Sequence, residues 1–127
     1  MPIKYKVVEK CLPGLAHQGE KKHYALPVMH SVLNLQDIIK IIEQRCTVNG
    51  ADIHAALYAL VDVAVEGLED GSIVRLGELG SLRISLHSKG KDIASEVNTS
   101  DITGASVIFT PGTRIKTMIK SAKFQKQ

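Results

Sequence analysis

The sequence predicts an α+β fold: a strand extension, two paired helices, a bent run of strands and a short closing helix. Three observations predict it. Residues 3–7 alternate in polarity, residues 34–70 carry apolar side chains at helical spacing, and GSIVRLGELGSLRIS (Gly71 to Ser85) sets glycines between two short apolar runs. At 127 residues the chain suits one domain with an added arm. Tryptophan is absent and aromatic residues are few, so the core must rest on Leu, Ile, Val and Ala. A single chain of this size buries a modest core, which dimerisation would enlarge.

The first element, IKYKVVEK, alternates Ile3, Tyr5 and Val7 with Lys4 and Lys6, the period of a strand. Pro13-Gly14 breaks it. KKHYALPVMHS, from Lys21, reads as a second extended piece. Pro27 inside it argues for an edge position, because proline has no amide proton to give a ladder. The two pieces either pair as a hairpin or lie against a neighbouring sheet.

Helical character begins at Asn34, a capping residue, with Asp37 suited to the positive helix end. Leu35, Ile38, Ile39, Ile41 and Ile42 follow at helical spacing. Residues 46–50 form a connector, in which Asn49 caps the next helix and Asp52 lies in its first turn. That helix is expected to run to about Leu68. Ile53, Ala56, Leu57, Leu60, Val61, Ala64, Val65 and Leu68 lie on one wide apolar face, with Asp62, Glu66 and Glu69 off it. Gly71 ends the helix, since glycine enters the left-handed cap conformation at low cost. The pair makes an αα-hairpin. The apolar face of the second helix is too wide for one short helix and a small sheet, which favours a symmetric partner chain, the alternative being a monomer with a sheet on one side.

The strand region opens with a short piece at 73–76 and bends at Gly77 and Gly80. A longer strand from Leu79 to Ser88 puts Leu82, Ile84 and Leu86 on one face and Arg83, Ser85 and His87 on the other. Residues 89–104 are polar, with isolated Ile93, Val97 and Ile102, and read as a protruding hairpin or flexible arm. ASVIFT is a strand ending at Pro111-Gly112. TRIKTMIKSAKF is a last, short, basic helix with Ile115, Met118 and Ile119 facing inward.

The net charge of +3 is only mildly basic, but its distribution is uneven. Residues 32–72 carry two cations against seven acids, whereas residues 110–127 carry five cations and no acid. Such asymmetry suits one face built for anions. The N-terminus lacks the continuous apolar segment of a signal peptide, and no run approaches the ~18 apolar residues of a membrane span. Cys11 and Cys46 form no metal or redox pattern; Cys46 reads as a small apolar filler at a helix end. Histidines 17, 23, 30, 54 and 87 lack zinc-ligand spacing, and no glycine-rich phosphate loop is present. No enzyme activity, cofactor or small-molecule substrate is therefore expected.

The order helix, helix, short strand, elbow, strand, arm, strand, helix resembles the HU/IHF family of bacterial histone-like DNA-binding proteins. VRLGELGSLRIS (Val74–Ser85) is similar to that family's strand-elbow-strand signature: Gly80 matches its second glycine, Leu79 and Leu82 replace its aromatics, and Glu78 departs from its first glycine. FTPGTRIKTMIK (Phe109–Lys120) resembles the family's C-terminal strand-to-helix junction. The KYKVVEK opening and RLGELG elbow are similar to the longer HU-like proteins of the Bacteroidetes. The resemblance implies a strand extension at 1–33 and an HU/IHF-like DNA-binding domain at 34–127. It implies an intertwined homodimer with a saddle of strands and protruding β-arms, acting on double-stranded DNA in the bacterial nucleoid. By that resemblance the DNA contacts are Arg83, Ser85 and His87 on the saddle, with Arg75 beside them, Lys89 and Lys91 at the arm, and Arg114, Lys116 and Lys120 at the last helix. The arm carries two lysines against three acids and has neither arginine nor proline, so less bending is expected than in ordinary HU. The alternative is a dimeric structural or protein-interaction module with little DNA binding.

Overall fold

The computed structural model describes residues 2–11 and 21–127. The Pro13-Gly14 break and His17 lie outside the described residues. In chain order the elements are β1 (Ile3–Cys11), β2 (Lys21–Pro27), α1 (Leu35–Arg45), α2 (Gly50–Glu69), β3 (Val74–Arg75), β4 (Gly80–Ser88), β5 (Ile102–Pro111), α3 (Thr113–Ser121) and β6 (Phe124–Lys126). The chain forms two compact units, one of Met1–Ile38 with Lys120–Gln127 and the other of Ile39–Ile119.

The first unit holds a three-stranded sheet in the order β2-β1-β6. β1 and β2 pair antiparallel, from Tyr5 opposite Pro27 to Cys11 opposite Lys21. β2 is an edge strand, as Pro27 requires. The other edge was not foreseen. Phe124–Lys126 runs parallel to β1, with Ile3 opposite Phe124 and Tyr5 opposite Lys126. Ile3 N–H donates to the Lys123 carbonyl at 2.7 Å and Gln127 N–H to the Tyr5 carbonyl at 2.9 Å, so the C-terminal segment is fixed at both ends.

Both long helices start where their caps dictate. Asn34 Oδ1 accepts from Asp37 N–H at 3.0 Å, and Asp37 Oδ2 accepts from Asn34 N–H at 3.2 Å, a reciprocal capping box. Asn49 Oδ1 accepts from Asp52 N–H at 2.9 Å. Gly71, with φ of 79°, follows the end of α2 as expected. Cys46 is exposed and its thiol donates to the Ile42 carbonyl at 3.2 Å, so it caps the end of α1 and fills no core.

Little of the apolar surface is covered within one chain. Among the described residues, Ile39 on α1 and Ile53 on α2 are the buried apolar side chains. Val61 and Val63 in the middle of α2 are 56% and 62% exposed. The inward orientation expected for α3 holds in part: Ile115 is half-buried, whereas Met118 and Ile119 are exposed.

The second unit's sheet is an antiparallel meander, β3-β4-β5. Residues 89–101, part of the stretch expected to be a protruding hairpin or flexible arm, connect β4 and β5. They contain two single 3-10 turns, Ala94–Glu96 and Thr99–Asp101, before β5 takes up its pairing with Ile102 opposite Ser88. The second turn is closed by another capping box, Asn98 with Asp101. Asp101 is buried, accepts from Asn98 N–H at 3.0 Å and meets Lys91 Nζ at 3.4 Å. Local side-chain acceptors thus offer this backbone partners that an extended arm would have drawn from a ladder.

Candidate nucleic-acid interface

The β4–β5 register sorts the sheet into two faces. Leu82, Ile84 and Leu86 stand opposite Phe109, Val107 and Ala105, and Arg83, Ser85 and His87 stand opposite Ile108, Ser106 and Gly104. Residues directly opposite in an antiparallel pair project from the same face, so one face is apolar and the other polar. Val74 faces Leu82 and Arg75 faces Ser81, which puts Val74 on the apolar face and Arg75 on the polar one. α2 approaches the apolar side: a Cβ on its Gly67 would stand 3.0 Å from Val74 Cγ2.

The polar face carries Arg75, Arg83 and His87, and β3, β4 and β5 contain no acidic residue. Arg75 and Arg83 are diagonal neighbours across the β3–β4 pair, a separation of roughly 7–8 Å between backbones. Both guanidinium-bearing residues are exposed. His87 Nε2 lies 3.4 Å from Ser106 Oγ, and Thr103 Oγ1 donates to the His87 carbonyl at 3.2 Å. Ser106 therefore belongs with the predicted residues. Reading it from sequence required the β4–β5 register, which pairs residues about twenty positions apart.

The elbow that sets this face depends on three glycines. Gly77 and Gly80 have φ of 62° and 147°, values that favour glycine. A Cβ on Gly80 would stand 2.6 Å from the Phe109 ring, and one on Gly112 would strike the Glu78 backbone. Leu76 N–H donates to the Gly80 carbonyl at 2.7 Å, and Gly112 N–H donates to the Leu79 carbonyl at 3.0 Å. The start of α3 is thereby tied to the elbow.

The remaining predicted contacts do not form one cluster. Lys89 is exposed beyond the end of β4, while Lys91 is engaged with Asp101. Arg114 Nη1 is 3.6 Å from Glu78 Oε2, an exposed pair that contributes little to stability. Lys116 and Lys120 are four residues apart and share one face of α3. Arg114 lies about 200° round the helix from Lys116, on the other flank of the Ile115–Met118–Ile119 stripe. Among the described residues no group of His, Cys, Asp and Glu side chains is placed to hold a metal ion. No described helix is long and apolar enough to cross a membrane.

A crystal structure of a provisionally assigned bacterial DNA-binding protein from Bacteroides vulgatus has the same fold, with a TM-score of 0.68 over 98% of this chain at 13% sequence identity. The present chain spans 48% of that protein's length. No curated protein matches it. The family model HU-HIG, described as an HU domain fused to wHTH, Ig, or glycine-rich motif, matches residues 1–126, and the chain belongs to this HU-like family.

Proposed function

We propose that this chain is a histone-like, architectural DNA-binding protein that binds duplex DNA largely without regard to sequence, as a homodimer in the bacterial nucleoid. The observation that carries the reading is the polar face of β3-β4-β5, where Arg75, Arg83 and His87 project together from strands free of acidic residues. Most non-specific affinity for DNA comes from lysine and arginine displacing condensed counterions, which asks for cations on one surface and no base-reading geometry. The exposed apolar surface of α2 supports the dimer, since a helix apolar over most of its circumference needs a covering partner. The HU family and the DNA-binding assignment of the Bacteroides vulgatus protein support the ligand. The fold match, which takes in the N-terminal strands, supports a place among the longer HU-like proteins of the Bacteroidetes.

HU and IHF wedge apolar side chains into base steps and bend the duplex. In this chain the β4–β5 connection is folded into 3-10 turns, with its acid Asp101 holding Lys91. Less bending is the consequence we assign to it. The chain's role is binding and not catalysis.

The test is retardation of a plain duplex over a range of salt. With ~4–6 phosphates neutralised per dimer at the saddle and last helix, log affinity falls against log salt with a slope contribution of about −4 to −5. Arg75→Gln with Arg83→Gln makes the slope shallower. A chain that binds no duplex at low salt, or binds it independently of salt, is instead a dimeric interaction module.

A further inference from the structure

We infer that the N-terminal sheet carries a second polyanion-binding surface, a strip of lysines on one face of β1 and β2 that engages the phosphate backbone of duplex DNA. The inference rests on the reading of the chain as a DNA-binding protein. The register of β1 with β2 alternates chemistry across the sheet. Val7 stands opposite Ala25 and Tyr5 opposite Pro27, and with Ile3 opposite Phe124 these make one face largely apolar. The other face receives Lys4, Lys6 and Lys10 from β1 and Lys22 from β2, set around Tyr24 and the half-buried Val8 and Leu26. All four lysines and Tyr24 are exposed. Glu9, the one acid on β1, projects to the opposite face with His23. Among the described residues no carboxylate pairs with any of the four lysines.

Two features point to a polyanion. Lys4 and Lys6 are two residues apart on a strand, a separation of roughly 7 Å, about the rise of two base pairs along the DNA axis. Lys10 also stands directly opposite Lys22. Like charges directly opposite across strands destabilise a sheet, and an anion laid over both removes the repulsion. Lysine, a flexible point charge, suits a phosphate backbone contacted without base recognition.

The test is the salt dependence of duplex binding by the full chain. Lys4→Gln, Lys6→Gln, Lys10→Gln and Lys22→Gln in combination should make the slope of log affinity against log salt shallower by about 3 to 4 for each protomer whose sheet meets the duplex, near 0.9 for each lysine lost. Lys21→Gln with Lys126→Gln, on the other face of the same sheet, should leave the slope nearly unchanged. The four corresponding arginine substitutions should retain the wild-type slope, which separates charge from folding. An unaltered slope in the glutamine variant, or an equal loss from the opposite-face pair, overturns the inference. So does a glutamine variant that keeps its DNA slope but loses binding to phosphatidylserine vesicles, since the strip would then serve a membrane. Absence of any duplex binding by the wild-type chain removes the DNA-binding reading itself; wild-type binding whose slope survives the glutamine substitutions removes only this one.

Discussion

Replacing Gly80 with alanine isolates the elbow on which the polar face depends. Gly80 has φ of 147°. Holding a side-chain-bearing residue in so sparsely populated a region costs about 1–3 kcal/mol. The new Cβ would also stand 2.6 Å from the Phe109 ring and strike the Thr110 carbonyl. Thr110 is fixed opposite Ser81 in the β4–β5 ladder, so the clash is relieved by moving the ladder and not by turning a side chain. Overpacking of this kind adds about 1–3 kcal/mol. The combined loss, about 2–6 kcal/mol, is a large part of the 5–15 kcal/mol typical of a folded protein. Gly77→Ala is the matched control: its φ is 62° and its Cβ meets nothing within 4 Å, which leaves a conformational cost of about 1–2 kcal/mol alone. Urea unfolding followed by circular dichroism, at one fixed protein concentration, measures both. With like conformational costs at the two sites, Gly80→Ala should fall below Gly77→Ala by the overpacking term, about 1–3 kcal/mol. Equal midpoints would mean that close approach at Gly80 does not constrain the elbow, and the argument for how Arg75 and Arg83 are held on one face would fail.

Val61→Glu on α2 puts a charge where the proposed partner chain packs. Losing about 2 kcal/mol of apolar burial raises the dimer dissociation constant about 30-fold or more, read by analytical ultracentrifugation. Asp101→Ala removes the acceptor for Asn98 N–H and the partner of Lys91. It should speed amide exchange of residues 94–101 by roughly fivefold, the equivalent of a lost cap of about 1 kcal/mol, and leave the β4–β5 ladder protected. Glu78→Gln frees Arg114 from its neighbour and removes a negative charge from the elbow. Duplex affinity should rise by roughly two- to fivefold at low salt and converge with wild type at high salt, as screening of exposed charges requires.

The elements legible in the sequence were those specified within a few residues. Asn34, three residues before Asp37, and Asn49, three before Asp52, announce helix starts because the bonds they make are that local. The same spacing recurs at Asn98 and Asp101 and makes the same capping box. That stretch is polar and without helical periodicity, so its overall pattern reads as a protruding hairpin or flexible arm while the local spacing carries the signal for the 3-10 turn. β6 was illegible for the opposite reason. Three residues, Phe124–Lys126, have no pattern of their own, and their strand character comes entirely from β1 about 120 positions earlier. The faces of β4 were readable from alternation, and Arg83, Ser85 and His87 do share one. For α3 the resemblance supplied Arg114, Lys116 and Lys120, and the helical turn puts Arg114 and Lys116 on opposite flanks of the apolar stripe.

The two sheets place their charges by the same rule, and the rule explains why the modest net charge misleads. In each, a strand period of two gathers several cations on one face, the first sheet's lysines lying around Val8 and Leu26 and the second sheet's arginines beside Ile108. The acids are concentrated elsewhere, on α1 and α2 and in residues 89–101. A chain can therefore be nearly neutral in sum and still present two surfaces on which every charged strand residue is basic. Electrostatic attraction to a polyanion depends on the local surface, because charges beyond a Debye length of about 8–10 Å are screened. The Lys10–Lys22 opposition sharpens the point. A sheet selected only for its own stability has no use for two ammonium groups directly across a strand pair, whereas a sheet that meets phosphates gains from both.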